Sequence, residues 1–486
     1  MISLKNIYIS SALAFSAFAY SQGTFINSNY PQSYENQTAN SVKDFTSTEK
    51  LMTAKELVDI NINSMMSDPV LRNANWGFVV FDPKTKKIVS SYNENTPLVP
   101  ASTTKLLTTE TAISLLGEKF RWITQFEYSG NIDSDGNLQG NLYIVGSGDP
   151  SLGTNKAGAS SYRDIVSDFV MAASEKGIKK VNGDIIIQTG VFKANKSQNL
   201  PQNIVWLENG NYYLPVGSTY EISPANEKLI AKKSNPFAES KNFYYISPYI
   251  NQMVYADKFE GIGLTTKLPD APSYLANTLR TNLVKSGIPV TGKVISKTTD
   301  LNPEKREIIT AYQSPTLSEI MYYTNQRSDN ALAEAFLRMV GFQKNGDQSL
   351  ESGRSVVVEH LKSIGFDTSG LNYIDGSGLS HSNLVTPLSQ VKFLTGLMDE
   401  KYYKTYFDSL PIGGQTGTLK RMFYGSGNGQ IFAKTGTLNR VKTLAGYMKT
   451  NTGKTLVFSL LINNYAGSVD QVKSKMEQLL QPALSL

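Results

Sequence analysis

The sequence predicts an α+β fold, in which an antiparallel sheet is flanked by helices and interrupted by a large insert. Three observations predict it: helical and strand patterns precede residue 122, both return after residue 300, and the segment between them is turn-rich. Antiparallel strands closed by helices from both ends of a chain pack in layers around one core. Because 486 residues exceed one ordinary core, the insert is expected to form structural units of its own.

Four elements are predicted before the insert. They are a helix over Glu49–Met66, strands over Trp76–Phe81 and Lys87–Tyr92, and a helix over Thr103–Leu116. Gly117 follows the last of these as a typical helix stop. Ser102, which precedes the helix, is therefore expected at a helix amino terminus.

The insert, residues 123–299, is predicted to be β-rich and to contain two sub-units, the second near 190–265. Its strand patterns lie at Ile123–Tyr128, Asn141–Val145 and Asp184–Gln188. The first two are joined by Asp133-Ser-Asp-Gly136, whose composition is typical of a hairpin turn.

Residues 300–486 are expected to complete the domain that residues 46–122 begin. Helical patterns occupy Thr316–Tyr323, Asn330–Val340, Gly353–Ile364 and Val469–Leu480, and strand patterns occupy Gln430–Gly436, Thr443–Lys449 and Thr455–Asn463.

The amino terminus resembles a cleavable export signal. Lys5 precedes an apolar run, Ile7 to Ala19, that ends in small residues, which is typical of a secretory signal peptide over residues 1–21. Residues 22–45 are rich in Asn, Ser, Gln and Thr and are expected to form a flexible leader. The run is too short to span a bilayer comfortably, so an exported, periplasmic protein without a membrane span is predicted.

Composition narrows the function classes. The net charge is +6 and the chain contains no cysteine, so disulfides and thiolate metal sites are excluded. No dense run of Lys and Arg with interleaved aromatics occurs, which argues against nucleic acid as a partner. The mild positive charge suits an anionic cell wall, although an ordinary solubilising surface would look the same.

Three short motifs carry the chemistry: Ser102-Thr-Thr-Lys105, Ser328-Asp329-Asn330 and Lys434-Thr435-Gly436, the last followed by Thr437. In this order they are typical of serine acyl transfer with lysine as the base. Each motif alone is weak, since the Ser-x-x-Lys spacing also occurs at Ser47–Lys50 and Ser389–Lys392.

The first motif explains how a serine could be activated. A serine hydroxyl needs an adjacent base, and the spacing from Ser102 to Lys105 places both side chains on one helix face. Lys105 can accept a proton only when neutral, and burial or a second cation lowers a lysine pKa. Lys434 is expected to supply that second cation.

The other two motifs each have a functional and a structural interpretation. Ser328 could relay a proton and Asn330 could hold a substrate amide, or Ser328 could cap the following helix. Lys434 and the threonine hydroxyls could bind a carboxylate, or Lys434 could protect an edge strand. Gly436 would let a substrate backbone approach the strand closely.

Other reaction classes lack the residues they need. The chain has two histidines, His360 and His381, and His360 lies within a helical pattern where a structural role is expected. Zinc-peptidase and nucleotide-binding patterns are absent from the sequence, so neither a metal nor a cofactor is predicted.

At these residues the chain resembles the class C low-molecular-mass penicillin-binding proteins, the D-alanyl-D-alanine carboxypeptidase/endopeptidase family. The resemblance extends from about residue 50 to the end, and the long interval between Lys105 and Ser328 is typical of that class. Three further stretches carry it: Gly146-Ser-Gly-Asp-Pro-Ser-Leu152, Asp375-Gly-Ser-Gly-Leu-Ser380 and Leu410-Pro-Ile-Gly-Gly414.

The resemblance implies a penicillin-binding-protein/β-lactamase-like transpeptidase domain, with peptidoglycan stem peptides as substrates and β-lactams as inhibitors. It assigns Ser102 as nucleophile, Lys105 as its base, Ser328 as a proton relay and Asn330 as a substrate-orienting residue, with Asp329 beside them. It also assigns carboxylate binding to Lys434, Thr435 and Thr437, and the oxyanion hole to the backbone N–H groups of Ser102 and Thr437. Gly436 and Asp329 are expected to contact the substrate as well.

One position departs from the family pattern. After Ser380 this family usually has an arginine that contacts the stem-peptide side chain, whereas here the residue is His381. Trp206 and Glu208 resemble the insert residues that contact the same side chain in relatives, although an exposed turn with a packed tryptophan fits equally well. A β-lactamase, and a non-catalytic wall-binding protein, remain the alternative functions.

Overall fold

The computed structural model describes residues 52–189, 271–297 and 304–486, together with five short strands between residues 204 and 255. Residues 52–486 form one unit. The predicted signal peptide (1–21) and leader (22–45) lie outside the described residues. None of the described helices is both long and apolar enough to cross a bilayer.

The helices and strands are numbered here in chain order. The helices are α1 Ala54–Ser67, α2 Lys105–Leu116, α3 Tyr162–Glu175, α4 Ala271–Lys285, α5 Leu317–Arg327, α6 Asn330–Asn345, α7 Leu350–Ser363, α8 Pro387–Gly396, α9 Tyr403–Asp408 and α10 Val469–Leu480. The strands are β1 Asn75–Asp82, β2 Lys87–Tyr92, β3 Ile123–Ser129, β4 Asn131–Ile132, β5 Asn137–Gln139, β6 Leu142–Val145, β7 Lys180–Val181, β8 Ile185–Gln188, β9 Ile204–Leu207, β10 Tyr212–Pro215, β11 Leu229–Lys232, β12 Phe243–Ile246, β13 Met253–Tyr255, β14 Val294–Lys297, β15 Arg306–Gln313, β16 Ile431–Leu438, β17 Val441–Lys449 and β18 Thr455–Asn463.

The principal sheet is antiparallel and has the order β16-β17-β18-β1-β2. Successive side chains of a strand point to opposite faces, and both faces of this sheet are covered. Val79 and Leu461 pack with the helical layer formed by α2 and α5 to α8. Phe78 and Leu460 pack on the other face, against α1 and α10. The predicted α+β fold with a helix-flanked antiparallel sheet is confirmed.

The insert is β-rich, as predicted, but its principal sheet is mixed and two helices pack on it. Its five strands have the order β14-β8-β6-β3-β15, and β8 runs parallel to both β6 and β14. Helices α3 and α4 cover the sheet with a common apolar core. Parallel neighbours need a crossover connection, usually a helix, which explains why helices occur here.

One boundary of the insert differs from expectation, whereas its predicted hairpin turn is confirmed. Strand β15 pairs with β3 throughout its length, so the inserted sheet continues to residue 313 and the predicted boundary at 299 is too early. The turn at Asp133–Gly136 joins the short strands β4 and β5 at the tip of the β3–β6 pair. Of the predicted second sub-unit at 190–265, the structure describes the antiparallel pair β9–β10 and the sheet β11-β12-β13.

Candidate active site

The candidate nucleophile lies on a tight turn between sheet and helix. Residues Ala101–Thr104 form a 3₁₀ turn that leads directly into α2, so Ser102 precedes the helix by one turn, as predicted. The turn is held by the Pro100 carbonyl, which accepts hydrogen bonds from the hydroxyls of Thr103 (2.9 Å) and Thr443 (2.7 Å). Ala101 has a φ of 47°, a conformation that costs free energy for a residue other than glycine.

Two glycines make room for this turn. A Cβ on Gly378, whose φ is +80°, would overlap the Ala101 carbonyl oxygen. A Cβ on Gly436 would lie 2.7 Å from the Pro100 carbonyl oxygen and 2.9 Å from the Ala101 Cβ, and would also overlap the Thr443 hydroxyl. The turn before Ser102 therefore requires a glycine at position 436, and the approach of a substrate to Gly436 stays a prediction.

Lys105 is completely buried at the start of α2. Its Nζ donates to three acceptors: Ser102 Oγ at 3.0 Å, Asn330 Oδ1 at 2.7 Å and the Ser377 carbonyl at 2.6 Å. An ammonium has three protons and no acceptor site, so these contacts use its full donor capacity. When Lys105 is neutral, its lone pair can instead accept the proton of the Ser102 hydroxyl.

Burial lowers the pKa of Lys105 to about 8, against the opposing effect of the carboxylates of Glu334, Asp375 and Asp329. The sequence analysis named burial and the charge of Lys434 as causes of a lowered lysine pKa, and burial is the principal cause here. A lysine with a pKa of about 8 has an appreciable neutral fraction near physiological pH.

Two carboxylates that the motifs did not reveal hold the loop opposite the serine. Glu334, on α6, accepts the N–H groups of Gly376 (3.2 Å) and Ser377 (2.8 Å). Asp375 accepts the N–H groups of Gly378 (2.6 Å) and Ser380 (2.7 Å). This loop belongs to the Asp375–Ser380 stretch identified in the sequence, but Glu334 carries no local signal that could have identified it.

The second motif joins two helices. Ser328 ends α5 in the left-handed conformation (φ 57°), and Asp329 caps α6 by accepting the N–H of Leu332 at 3.0 Å. The structural interpretation, in which Ser328 caps the following helix, is therefore wrong, since Asp329 does so. Asn330 begins α6, which brings its amide to Lys105.

The insert contacts this motif through an ion pair. Lys156, on the loop between β6 and α3, places its Nζ 2.6 Å from Asp329 Oδ2. The Asp329 carboxylate thus accepts hydrogen bonds from the amino terminus of α6 and from a lysine, and its contact with a substrate stays a prediction.

The third motif lies on the edge strand β16. Lys434 is completely buried, and its Nζ donates to Ser328 Oγ at 2.8 Å and to the Thr435 carbonyl at 2.9 Å. Burial, and then the charges of Lys105 and Lys442, hold its pKa well below the usual range. Two buried lysines in one site oppose each other's protonation.

The threonines of this motif face different partners. The Thr435 hydroxyl contacts Thr418 Oγ1 at 2.7 Å. Thr437 is exposed, and its Oγ1 accepts a 2.6 Å hydrogen bond from Lys442 on the adjacent strand. Neither Thr418 nor Lys442 was identified from the sequence.

Three of the predicted site residues lie outside this cluster or outside the residues that the structure describes. His381 is exposed next to the Asp375–Ser380 loop. Trp206 lies on β9, opposite Tyr213 of β10, and Glu208 lies outside the described residues. His360 is buried on α7 and pairs with the buried Glu110 at 3.0 Å, which fits the structural role predicted for it.

The cluster as a whole brings together the residues that serine acyl transfer requires. Ser102 contacts a buried lysine with a lowered pKa, and a second lysine contacts Ser328 on the far side of Asn330. A nucleophile within hydrogen-bond reach of a base, which is oriented in turn by a third group, is the arrangement that covalent catalysis uses.

Comparison with solved structures places the fold among the penicillin-binding proteins. Penicillin-binding protein 4 from Haemophilus influenzae, solved in complex with a β-lactam, superimposes with a TM-score of 0.66 at 22% identity, covering 88% of this chain and 100% of that chain. The fold is therefore that of the penicillin-binding proteins.

The chain belongs to the D-Ala-D-Ala carboxypeptidase 3 (S13) family, whose sequence profile matches residues 58–220 and 254–483. Among characterised proteins, a D-alanyl-D-alanine carboxypeptidase from Haemophilus influenzae is 25% identical, over 87% of this chain and 92% of that protein. A D-alanyl-D-alanine carboxypeptidase from an Actinomadura species is 28% identical, over 84% of this chain and 81% of that protein. The resemblance inferred from the motifs is confirmed.

Proposed function

We propose that this protein is an exported, periplasmic serine D,D-carboxypeptidase and D,D-endopeptidase that cleaves peptidoglycan stem peptides through an acyl-enzyme. One observation carries the proposal: the Nζ of the buried Lys105 lies 3.0 Å from Ser102 Oγ. Membership of the carboxypeptidase family supports the same reaction.

In the acylation step, Ser102 Oγ attacks the carbonyl carbon of the penultimate D-alanine. A bond forms between Oγ and that carbon while the serine proton moves to Lys105. The negative charge that develops on the carbonyl oxygen is bound by the backbone N–H groups of Ser102 and Thr437. Such preorganised donors provide a large share of transition-state stabilisation.

The leaving group then departs as a neutral amine. The C–N bond of the D,D-peptide breaks and the amine nitrogen takes a proton from the Ser328 hydroxyl, which recovers one from Lys434, 2.8 Å away. Water hydrolyses the resulting ester and releases Ser102. A β-lactam ring is opened by the same attack, but its leaving group stays tethered, so the acyl-enzyme persists.

Substrate binding prepares the base for this reaction. The terminal carboxylate binds near Lys434, Thr435 and Thr437, and its negative charge favours the protonated form of Lys434. A charged Lys434 then favours the neutral form of Lys105, since like charges in one site oppose each other. Binding of an anionic substrate thereby increases the fraction of Lys105 that can accept the serine proton.

Endopeptidase activity follows from the same chemistry with a longer leaving group. Trp206, Glu208 and His381 are proposed to contact the side chain of the stem peptide. His381 is an exposed residue at the position where this family usually has an arginine, and an imidazole cannot make the two-pronged contact that a guanidinium makes with a carboxylate.

Covalent labelling with a fluorescent penicillin tests the proposal. Wild type is expected to give a stable label and to release D-alanine from a peptide ending in D-Ala-D-Ala, and Ser102→Ala should abolish both. Ser389→Ala is the matched control, because it removes the serine of a second Ser-x-x-Lys pattern. Labelling that survives in Ser102→Ala would identify another nucleophile.

The alternative functions give different results in the same experiment. Rapid destruction of the penicillin without a persistent label would support a β-lactamase. Binding of peptidoglycan with neither labelling nor penicillin loss would support a non-catalytic wall-binding protein.

A further inference from the structure

A buried lysine that the catalytic steps do not use lies beside the third motif. Lys442 is on β17, directly opposite Thr437 on β16, and is only 5% exposed. Its Nζ donates to Thr437 Oγ1 at 2.6 Å. The side chain therefore connects the interior of the sheet to an exposed hydroxyl at the edge of the site.

Lys442 has no counter-ion in the part of the chain that the structure describes. The charged groups that interact with it are Lys434 on β16 and, on α10, Asp470 and Lys473, which pair with each other at 2.9 Å. Burial of an ammonium without a counter-ion is strongly unfavourable. An anion that binds at the neighbouring edge of β16 would compensate the positive charge of Lys442.

The hydrogen bond to Lys442 also fixes what the Thr437 hydroxyl can do. An ammonium can only donate, so the Thr437 oxygen is the acceptor in this contact. The hydroxyl proton must then point elsewhere, and Thr437 is exposed on the edge strand that also carries Lys434. The Thr437 hydroxyl can therefore donate its proton at the exposed edge of β16, which suits an acceptor such as a carboxylate.

We propose that Lys442 is a positioning residue that makes the site selective for substrates with a free terminal carboxylate, by orienting the Thr437 hydroxyl and by adding a positive charge behind it. This inference rests on the proposed function. A merely structural lysine, packed beneath α10, would instead affect all substrates alike.

The titration of Lys442 agrees with this role. Burial, and then the charge of Lys473, lower its pKa to about 8, while Asp470 opposes the shift. At neutral pH the amine is therefore mostly charged and remains a donor to Thr437.

The test compares two substrates that differ only at the carboxyl end: a peptide ending in D-Ala-D-Ala as the free acid, and the same peptide as the terminal amide. In Lys442→Met, kcat/KM for the acid should fall about tenfold or more, mainly through KM, since a hydrogen bond to a charged group and the charge itself are both lost. For the amide, kcat/KM should change by less than about twofold, and Lys442→Arg should retain most of the preference. Lys449→Met is the matched control, because it removes an exposed lysine from the same strand.

A second comparison isolates the route through Thr437. If Lys442 acts by orienting that hydroxyl, Lys442→Met should cost much less in a Thr437→Val background than alone, because the two residues form one unit. Thermal unfolding checks that each variant is folded, and Lys442→Gln replaces Lys442→Met if the latter is not.

The outcomes separate the two proposals. Equal losses on acid and amide, or full additivity with Thr437→Val, would overturn the role of Lys442 while leaving the enzyme's activity intact. A wild type that hydrolyses neither peptide and takes no penicillin label would overturn the proposed function itself.

Discussion

Acylation of the site should become faster as pH rises, with a midpoint near 8. The reaction needs the neutral form of Lys105, and burial lowers the pKa of that amine from 10.5 to about 8. The sign is fixed by the chemistry: a lysine is charged below its pKa and becomes a base above it.

The expected magnitude follows from that shift. At pH 7 a lysine with an ordinary pKa is neutral in about 0.03% of molecules, whereas one with a pKa of about 8 is neutral in about a tenth. Burial of Lys105 thus provides about 300 times more of the active base. Between pH 7 and pH 9 the neutral fraction, and with it the acylation rate constant, should rise about tenfold.

The assay is the second-order rate constant for acylation by a fluorescent penicillin ester, measured from pH 6 to 10. The ester has no free carboxylate, so the titration of Lys442 should not affect its binding. Lys105→Arg should remove the rising limb together with nearly all labelling, because a guanidinium stays charged throughout. A wild-type profile that is flat, or that rises only near pH 10.5, would refute the assignment of Lys105 as a base activated by burial.

Two further predictions concern the framework of the site. Gly436→Ala should lower the free energy of unfolding by about 1–3 kcal/mol through overpacking against the Pro100 carbonyl, and it should slow acylation. Gly396→Ala is the control for thermal unfolding, because a Cβ there meets nothing within 4 Å. Equal effects of the two substitutions would contradict the steric argument. Lys156→Met should slow acylation by about fivefold or less, because the ion pair with Asp329 is partly exposed and contributes about 1 kcal/mol at most. The difference in acylation rate between wild type and variant should shrink at high ionic strength. A loss of rate that does not depend on salt would instead indicate a packing role for Lys156.

The principal sheet and the three motifs could be predicted because their signals are local. The strand over Thr455–Asn463 and the helix over Val469–Leu480 have the predicted bounds. The strand is a short, nearly continuous apolar run of the kind that is buried on both faces, whereas the helix has apolar residues at helical spacing. Helix α3 was missed although its signal is also local: Ser161 and Asp164 form a capping box, followed by apolar residues at helical spacing. A closer reading of periodicity would have found it.

The rest of the site depends on contacts between distant parts of the chain. Glu334 and Lys442 are unremarkable in their own segments, and they acquire roles only because α6 meets the 375–380 loop and β17 lies beside β16. The role of Gly436 also depends on a contact between distant parts of the chain. Its sequence context predicted a close approach, but not that the approaching group would be the turn before Ser102.

The position of that turn between Gly378 and Gly436 determines when the enzyme can first act. Residues 100–102 are synthesised early, whereas both glycines, and the strand that carries Lys434, come from the last quarter of the chain. A nascent or half-folded molecule therefore contains the serine but lacks the packed surroundings that bury Lys105 and activate it. We therefore expect the Ser102 hydroxyl to become reactive only after the carboxy-terminal strands have joined the sheet, and to remain unreactive while the chain is being synthesised.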